Sequence, residues 1–219
     1  KVMIRTGLLV SAIIITVCLG LSLFAWIEVP ADARIPVHFD ANGTPDRFGG
    51  KLEALFALPA VMVGGTAIMT ILPSILPRRA GLKASGSAYI VGWIGAMLVV
   101  AAGHAMIVAI ALGYEAQPGW IMYPVSLLII AVGNAVAKTR SNWAVGLRTP
   151  WSLSSEDAWV ASNRALGWGF VLSGLASLAG QLLIGLKASI LVLTGGVLAG
   201  VIVATAISYQ VWRREQAQA

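Results

Sequence analysis

Six long apolar runs, separated by polar stretches, set the pattern of the chain. The first covers about Gly7 to Ile27, behind Lys1 and Arg5. The others cover about Leu52 to Leu76, Ser87 to Leu112, Trp120 to Ala137, Ala165 to Leu186 and Ala188 to Trp212. A bilayer core of about 30 Å needs about 20 helical residues, so each run is long enough to cross it. The pattern predicts an all-α fold, a polytopic membrane helix bundle of six transmembrane helices. The first run exceeds the roughly 7–15 apolar residues of a secretory signal, so it reads as a retained helix although Ala31-Asp32-Ala33 resembles a cleavage site. Pro59 predicts a kink early in the second span, and Pro73, Pro77, Arg78, Arg79 and Lys83 mark its exit. Gly113 to Gly119 reads as a short turn, and Lys187 marks a very tight one. Trp93, Trp120, Tyr89, Tyr114 and Tyr123 lie near span ends, where amphipathic rings prefer the interface.

Two polar stretches are too long to be simple connections. In Glu28 to Lys51, three prolines and Gly49-Gly50 argue against helix, while Ile35 to Phe39 reads as a short extended piece leading to a turn at Asn42-Gly43. Its His38, Asp40, Asn42 and Asp46, with nearby Glu53, are of the type that binds metals. Their spacing fits no EF-hand or zinc motif, and Asp and Asn beside Gly43 are ordinary turn formers. A structural turn leads, with a peptide or ligand contact surface and a metal site as lesser readings; no metal is assigned.

Gly133 to Arg164 is the longest segment that is not an apolar run, and it interleaves Lys138, Arg140, Arg148 and Arg164 with Trp143, Trp151 and Trp159. Pro150 disfavours helix at Thr149, which predicts extended chain from Leu147 to Trp151. Ser154 followed by Asp157 resembles a capping box, with Glu156 and Asp157 in the first turn of a helix. On that helix Trp159, Asn163 and Leu166 share a face. One reading has Arg148 and Arg164 paired with Glu156, Asp157 or lipid phosphates, and the tryptophans pinning a short amphipathic helix at the inner interface. The other makes the same groups a docking face for a partner.

Composition supports a membrane protein: 58% of residues are hydrophobic, only 11% are charged and the mean hydropathy is +0.85. Soluble domains carry about 25% charged residues. The net charge of +6 is scattered at the ends of apolar runs, which points to membrane orientation and away from direct nucleic-acid binding. Lys1, Arg5, Arg78, Arg79, Lys83, Lys138, Arg140, Arg148, Arg164, Arg213 and Arg214 fall on one side, and Arg34, Arg47, Lys51 and Lys187 on the other. The positive-inside rule then places both termini and the Trp-Arg segment in the cytoplasm, and the His38 loop outside. The lone Cys18 excludes an intrachain disulfide.

Inside the spans, His104 is the ionisable candidate for function, with no intramembrane carboxylate to pair with it, so a helix-packing hydrogen bond leads. Gln181 and Asn134 read the same way. Gly196 and Gly200, with Gly180 and Gly185, predict a close helix contact, internal or between copies. No nucleophile with a base, paired carboxylates, phosphate loop or HExxH motif appears, and Ser152, Ser154 and Ser155 read as turn and cap residues. The chain is read as a non-enzyme without cofactor.

Asn134, Lys138, Arg140, Asn142, Gly146, Arg148-Thr149-Pro150-Trp151, Leu153-Ser154, Glu156, Trp159 and Asn163-Arg164 together resemble the signature of the SdpI family of bacterial membrane proteins. Ile35-Pro36-Val37-His38-Phe39-Asp40, with Gly43 and Asp46, resembles a small domain of unknown function that often precedes it. The resemblance implies an N-terminal two-helix unit, residues 1–86 with the outer loop 28–51, and a four-helix unit, residues 87–219 with the cytoplasmic segment 138–164. It also implies a multi-pass protein of the bacterial cytoplasmic (inner) membrane that confers immunity to a secreted toxin peptide and retains a transcriptional repressor at the inner face. The outer residues His38, Phe39, Asp40, Asn42, Gly43 and Asp46 would then meet the toxin, and the residues from Asn134 to Arg164 the repressor. Alternatives are a small transporter of a peptide or lipid-like compound, using His104, Asn134 and Gln181 as a polar path, and a weaker one, an enzyme acting on lipid or cell-wall precursors.

Overall fold

The computed structural model describes residues 2–75 and 84–218. The cations Lys1, Arg78, Arg79 and Lys83, with Pro77, lie outside the described residues. Among the described residues six helices are long and apolar enough to cross a membrane, as expected where lipid offers the backbone no hydrogen-bond partner. They are α1 (Val2–Glu28), α2 (Lys51–Ile75), α3 (Gly86–Ala111), α4 (Met122–Val136, entered through a 3-10 turn at Pro118–Ile121), α6 (Glu156–Leu183) and α7 (Leu186–Gln216). A short helix α5 (Pro150–Ser154) precedes α6. Helices α1, α2 and α3 pack together, as do α4, α6 and α7, and α3 also packs against α4.

The β structure among the described residues is an antiparallel hairpin in the first polar loop. Strand β1 (Ile35–Phe39) pairs with β2 (Pro45–Gly49) across a turn in which Gly43 takes φ +83°. The extended piece and turn were legible; the second strand was not, because Pro45, Gly49 and alternating charges carry no strand pattern. Ile35 is buried with Ala25, Val29, Leu55, Ile107 and Val108, so the hairpin is rooted on the ends of α1, α2 and α3.

Three boundaries differ from the sequence expectations. The helix opened by Glu156 and Asp157 and the span expected from about Ala165 are one continuous element, because nothing interrupts the helix once Ser155 caps it. The tight turn lies at Ile184-Gly185, where Gly185 takes φ +119°, and Lys187 already belongs to α7. Extended chain stops at Thr149: Pro150 opens α5, since a proline at the first helical position has the required φ and no N–H to leave unpaired.

The two prolines inside α2 explain two buried polar contacts. Pro59 has no N–H for the carbonyl of Leu55, four residues back, and Ser22 Oγ of α1 donates to that oxygen instead, at 2.5 Å. Pro73 likewise frees the carbonyl of Met69, which accepts from Tyr89 Oη of α3. Neighbouring helices thus re-satisfy each freed backbone group.

The glycine contact between α6 and α7 is internal. A Cβ on Gly169 would stand 2.9 Å from the Gly200 Cα, and Gly196 sits directly against Ser173. Ser177 adds a hydrogen bond to Ser189 at 2.7 Å on α7 and accepts one from Ser126 at 2.8 Å on α4.

Candidate functional site

Each end of the bundle carries one built surface. At one end, the hairpin lies over the ends of the second helix group: a Cβ on Gly43 would stand 3.5 Å from Leu186 and 3.8 Å from Pro118. A space of about 230 Å³ remains beneath His38 and Phe39, above Ile107, Met122 and Leu186. Beside it a shallow groove of about 410 Å³ runs between Pro36, Phe39 and Pro45 of the hairpin and Tyr114, Glu115 and Pro118 of the α3–α4 turn.

The polar residues of this loop and the start of α2 separate into three local groups. His38 Nδ1 and Asp46 Oδ1 are 2.6 Å apart across the strands. Glu53 pairs with Arg47. Asp40 organises the turn, accepting from the Thr44 N–H at 2.8 Å and the Asn42 N–H at 2.9 Å, with Asn42 Nδ2 at 3.2 Å. The Thr44 backbone hydrogen bond, supported by those from Asn42 and Gly43, holds the Asp40 carboxyl below its ordinary range. Among the described residues no three His, Cys, Asp or Glu gather around a common point.

At the other end, Thr139 to Thr149 is irregular chain pinned by buried side chains. Asn142 is buried and fully used: its Nδ2 donates to the carbonyls of Arg140 and Val145, and its Oδ1 accepts from the N–H of Ala144 and Val145, all at 2.7–3.1 Å. Ser85, just before α3, accepts from the Arg140 N–H at 3.0 Å and so ties the segment to the first helix group. From α6, Trp159 donates to the Thr139 carbonyl at 3.1 Å, and Asn163 accepts from the Leu147 N–H at 2.7 Å. Gly146, at φ +119°, passes so close that a Cβ there would lie 2.6 Å from Asn163 Oδ1.

The capping arrangement is shifted from expectation. The reciprocal box joins Thr149 and Ser152 at the start of α5, while Ser155, not Ser154, caps α6 by accepting from the Ala158 N–H at 2.9 Å. A helix start one residue later makes Ser154 the last residue of α5. Both caps hold the end of α7 as well: Thr149 Oγ1 lies 3.0 Å from Ser208 Oγ, and Ser155 Oγ donates to Glu215 at 2.9 Å. Trp151 meets Tyr209 edge-on at 5.0 Å.

The charge pairing also differs from expectation. Arg140, not Arg148 or Arg164, lies near Glu156, at 3.6 Å. Arg148 donates to the Trp143 carbonyl at 2.7 Å, since the turn at Gly146 folds it back over its own loop. The tryptophans divide as well: Trp159 is wholly buried, Trp151 packs on α7 and Trp143 is exposed. They therefore do not lie together along one amphipathic helix.

This end of the chain decides its relationships. Residues 138–209 match the model of the SdpI/YfhL protein family. Over those residues the chain is similar to that family. Residues 13–63 match a domain of unknown function, DUF1648. The immunity protein SdpI of Bacillus subtilis (strain 168) is 27% identical over 212 residues, covering 92% of this chain and 94% of that protein. No solved structure matches the chain. The region matched by the SdpI/YfhL model takes in the pinned segment, α5, α6 and most of α7, and thus both caps and the Thr149–Ser208 contact, while Glu215 lies beyond it. The other match takes in most of α1, the hairpin and the first half of α2.

His104 lies outside both matched regions. Its Nε2 is 3.0 Å from Ser22 Oγ and 3.1 Å from the Cys18 carbonyl. Ser22 spends its only proton on a carbonyl, so it accepts from His104, and the imidazole proton sits on Nε2. Nδ1 is buried without a partner among the described residues. His104, Asn134 and Gln181 do not come together: His104 meets α1, Asn134 accepts from Lys138, and Gln181 lies against Gly119. Reading the sequence alone missed Ser85, Thr139, Ser208 and Glu215. Their partners are 20 to 60 residues away, and single polar residues at span ends carry no local signal.

Proposed function

We propose that this multi-pass membrane protein is an immunity protein that protects a bacterium from a secreted antimicrobial peptide and reports its presence to a repressor at the cytoplasmic face. The observation that carries the reading is the outer groove, where Phe39, Tyr114 and three prolines form an apolar wall beside Glu115. Such a wall suits an extended or helical peptide with apolar and cationic side chains. Charge supports the same ligand: with the hairpin outside, six of the nine acids but only four of the fifteen Lys and Arg face outward. The near full-length similarity to a protein named for immunity supports it further. In this reading residues 1–86 supply most of the outer contact, and residues 87–219 carry the inner one on segment 138–164. There the exposed Arg148 and Trp143 are the groups available to a repressor.

The test is survival of a sensitive bacterium that makes the chain and is challenged with a panel of secreted cationic peptides. The intact protein should protect, and Phe39→Ala with Tyr114→Ala should lose protection at unchanged membrane levels. Arg148→Ala should keep protection but lose capture of a DNA-binding regulator. No protection by the intact protein against any peptide would reject the proposal.

A further inference from the structure

A lateral groove of about 740 Å³ opens between α4 and α6, its apolar walls outside both surfaces described above and its mouth formed by the two ends of segment 138–164. It exists because the two helices touch at their glycines: a Cβ on Gly133 would lie 2.7 Å from the Gly167 carbonyl. Close contact there leaves a trough between the larger side chains beside it. Its mouth carries Lys138, Arg164 and Asn134, and its walls are apolar, including Leu127, Ile130 and Trp168. Leu127 and Trp168 are 57% and 63% exposed, so the trough faces outward from the bundle. Among the described residues neither Arg164 nor Lys138 has a carboxylate partner, and Lys138 Nζ donates to the neutral Asn134 at 3.1 Å. From Lys138 to Leu127 the wall descends about 16 Å at 1.5 Å per residue, about half of a 30 Å hydrocarbon core. Trp168 lies one turn below Arg164, at the depth where an indole favours the interface.

We propose that this groove is a binding site for an anionic phospholipid of the adjoining leaflet, with the phosphate between Lys138 and Arg164 and one acyl chain along Leu127, Ile130 and Trp168. Two cations without acidic partners supply the charge complement, and the apolar wall is one leaflet deep. A zwitterionic lipid fits less well, because its ammonium would meet the same cations. A soluble anion would leave the apolar length unused.

The experiment is native mass spectrometry of the detergent-purified full chain, titrated with phosphatidylglycerol or with phosphatidylcholine of the same acyl chains. The intact protein should retain one phosphatidylglycerol in preference to phosphatidylcholine. Lys138→Gln with Arg164→Gln should weaken that retention roughly tenfold, taking each interfacial cation to contribute somewhat under the usual value. Ala131→Trp, which fills the exposed trough without touching charge, should weaken it similarly, whereas Arg213→Gln with Arg214→Gln, at the end of α7, should leave it unchanged. Equal retention of both lipids, equal loss in the α7 variant, or full retention by Ala131→Trp would each overturn the proposal. A circular dichroism spectrum and a monodisperse elution profile for each variant separate loss of the site from loss of the fold.

Discussion

At the scale of single residues, the polar side chains inside the spans answer to backbone geometry. Ser22 is needed because Pro59 leaves the Leu55 carbonyl without its helical donor, and His104 is held because Ser22 still has a lone pair to offer. This chain of dependence predicts a coupling. Ser22→Ala should lower stability by about 1 kcal/mol, within the range measured for interhelical hydrogen bonds in membranes. In a Pro59→Ala background the new N–H at position 59 serves the Leu55 carbonyl from within α2, so the same Ser22→Ala change should cost clearly less. A double-mutant cycle of unfolding in detergent measures the difference; strictly additive effects would refute the link. From sequence, a helix-packing hydrogen bond was the leading expectation for His104, and the imidazole lies within hydrogen-bond distance of Ser22 and the Cys18 carbonyl. Its partner was not legible, since nothing local distinguishes Ser22 from the other span serines.

Among the elements, the hairpin and the pinned segment are non-repetitive chain made rigid in different ways. The hairpin turn depends on one carboxylate. Asp40 accepts N–H groups from Thr44 and Asn42, so its folded-state pKa lies below the unfolded value. The turn stabilisation is therefore complete above the ordinary aspartate range and is lost as pH falls through the lowered value. The Thr44 amide resonance should titrate with a midpoint below about 3.9, and Asp40→Asn should abolish that titration. A midpoint at the ordinary value would contradict the assigned geometry. The pinned segment instead depends on neutral amides. Asn163→Ala removes the acceptor of the Leu147 N–H, leaving it buried without a partner, and should cost about 1–3 kcal/mol. Thermal unfolding in detergent should fall by several degrees for the larger value. An unchanged melting temperature would mean that water replaces the amide. Placing Trp159, Asn163 and Leu166 on one buried face needed only helical periodicity. The role of Gly146 needed the fold, because a φ of +119° against Asn163 arises from two segments meeting.

For the whole molecule, six apolar runs made the membrane architecture legible, while the seating of the hairpin across both helix groups depended on contacts that no local pattern encodes. That seating has a consequence for orientation. The described loops 29–50, 112–121 and 184–185 share one end of the bundle, and segment 137–155 lies at the other, with the ends of α1 and α7 beside it. Lys138, Arg140, Arg148, Arg164, Arg213 and Arg214 cluster with that segment, so the positive-inside rule predicts that it faces the cytoplasm. The native Cys18 is buried, which leaves introduced cysteines as the readable ones. In intact spheroplasts a membrane-impermeant maleimide should label Asn42→Cys on the exposed hairpin tip, and should label Ser154→Cys only after the membrane is opened. The reverse pattern would place the SdpI-like segment outside the cell. A repressor could not then reach Arg148, and the division of labour between an outer peptide groove and an inner docking surface would fail as a whole.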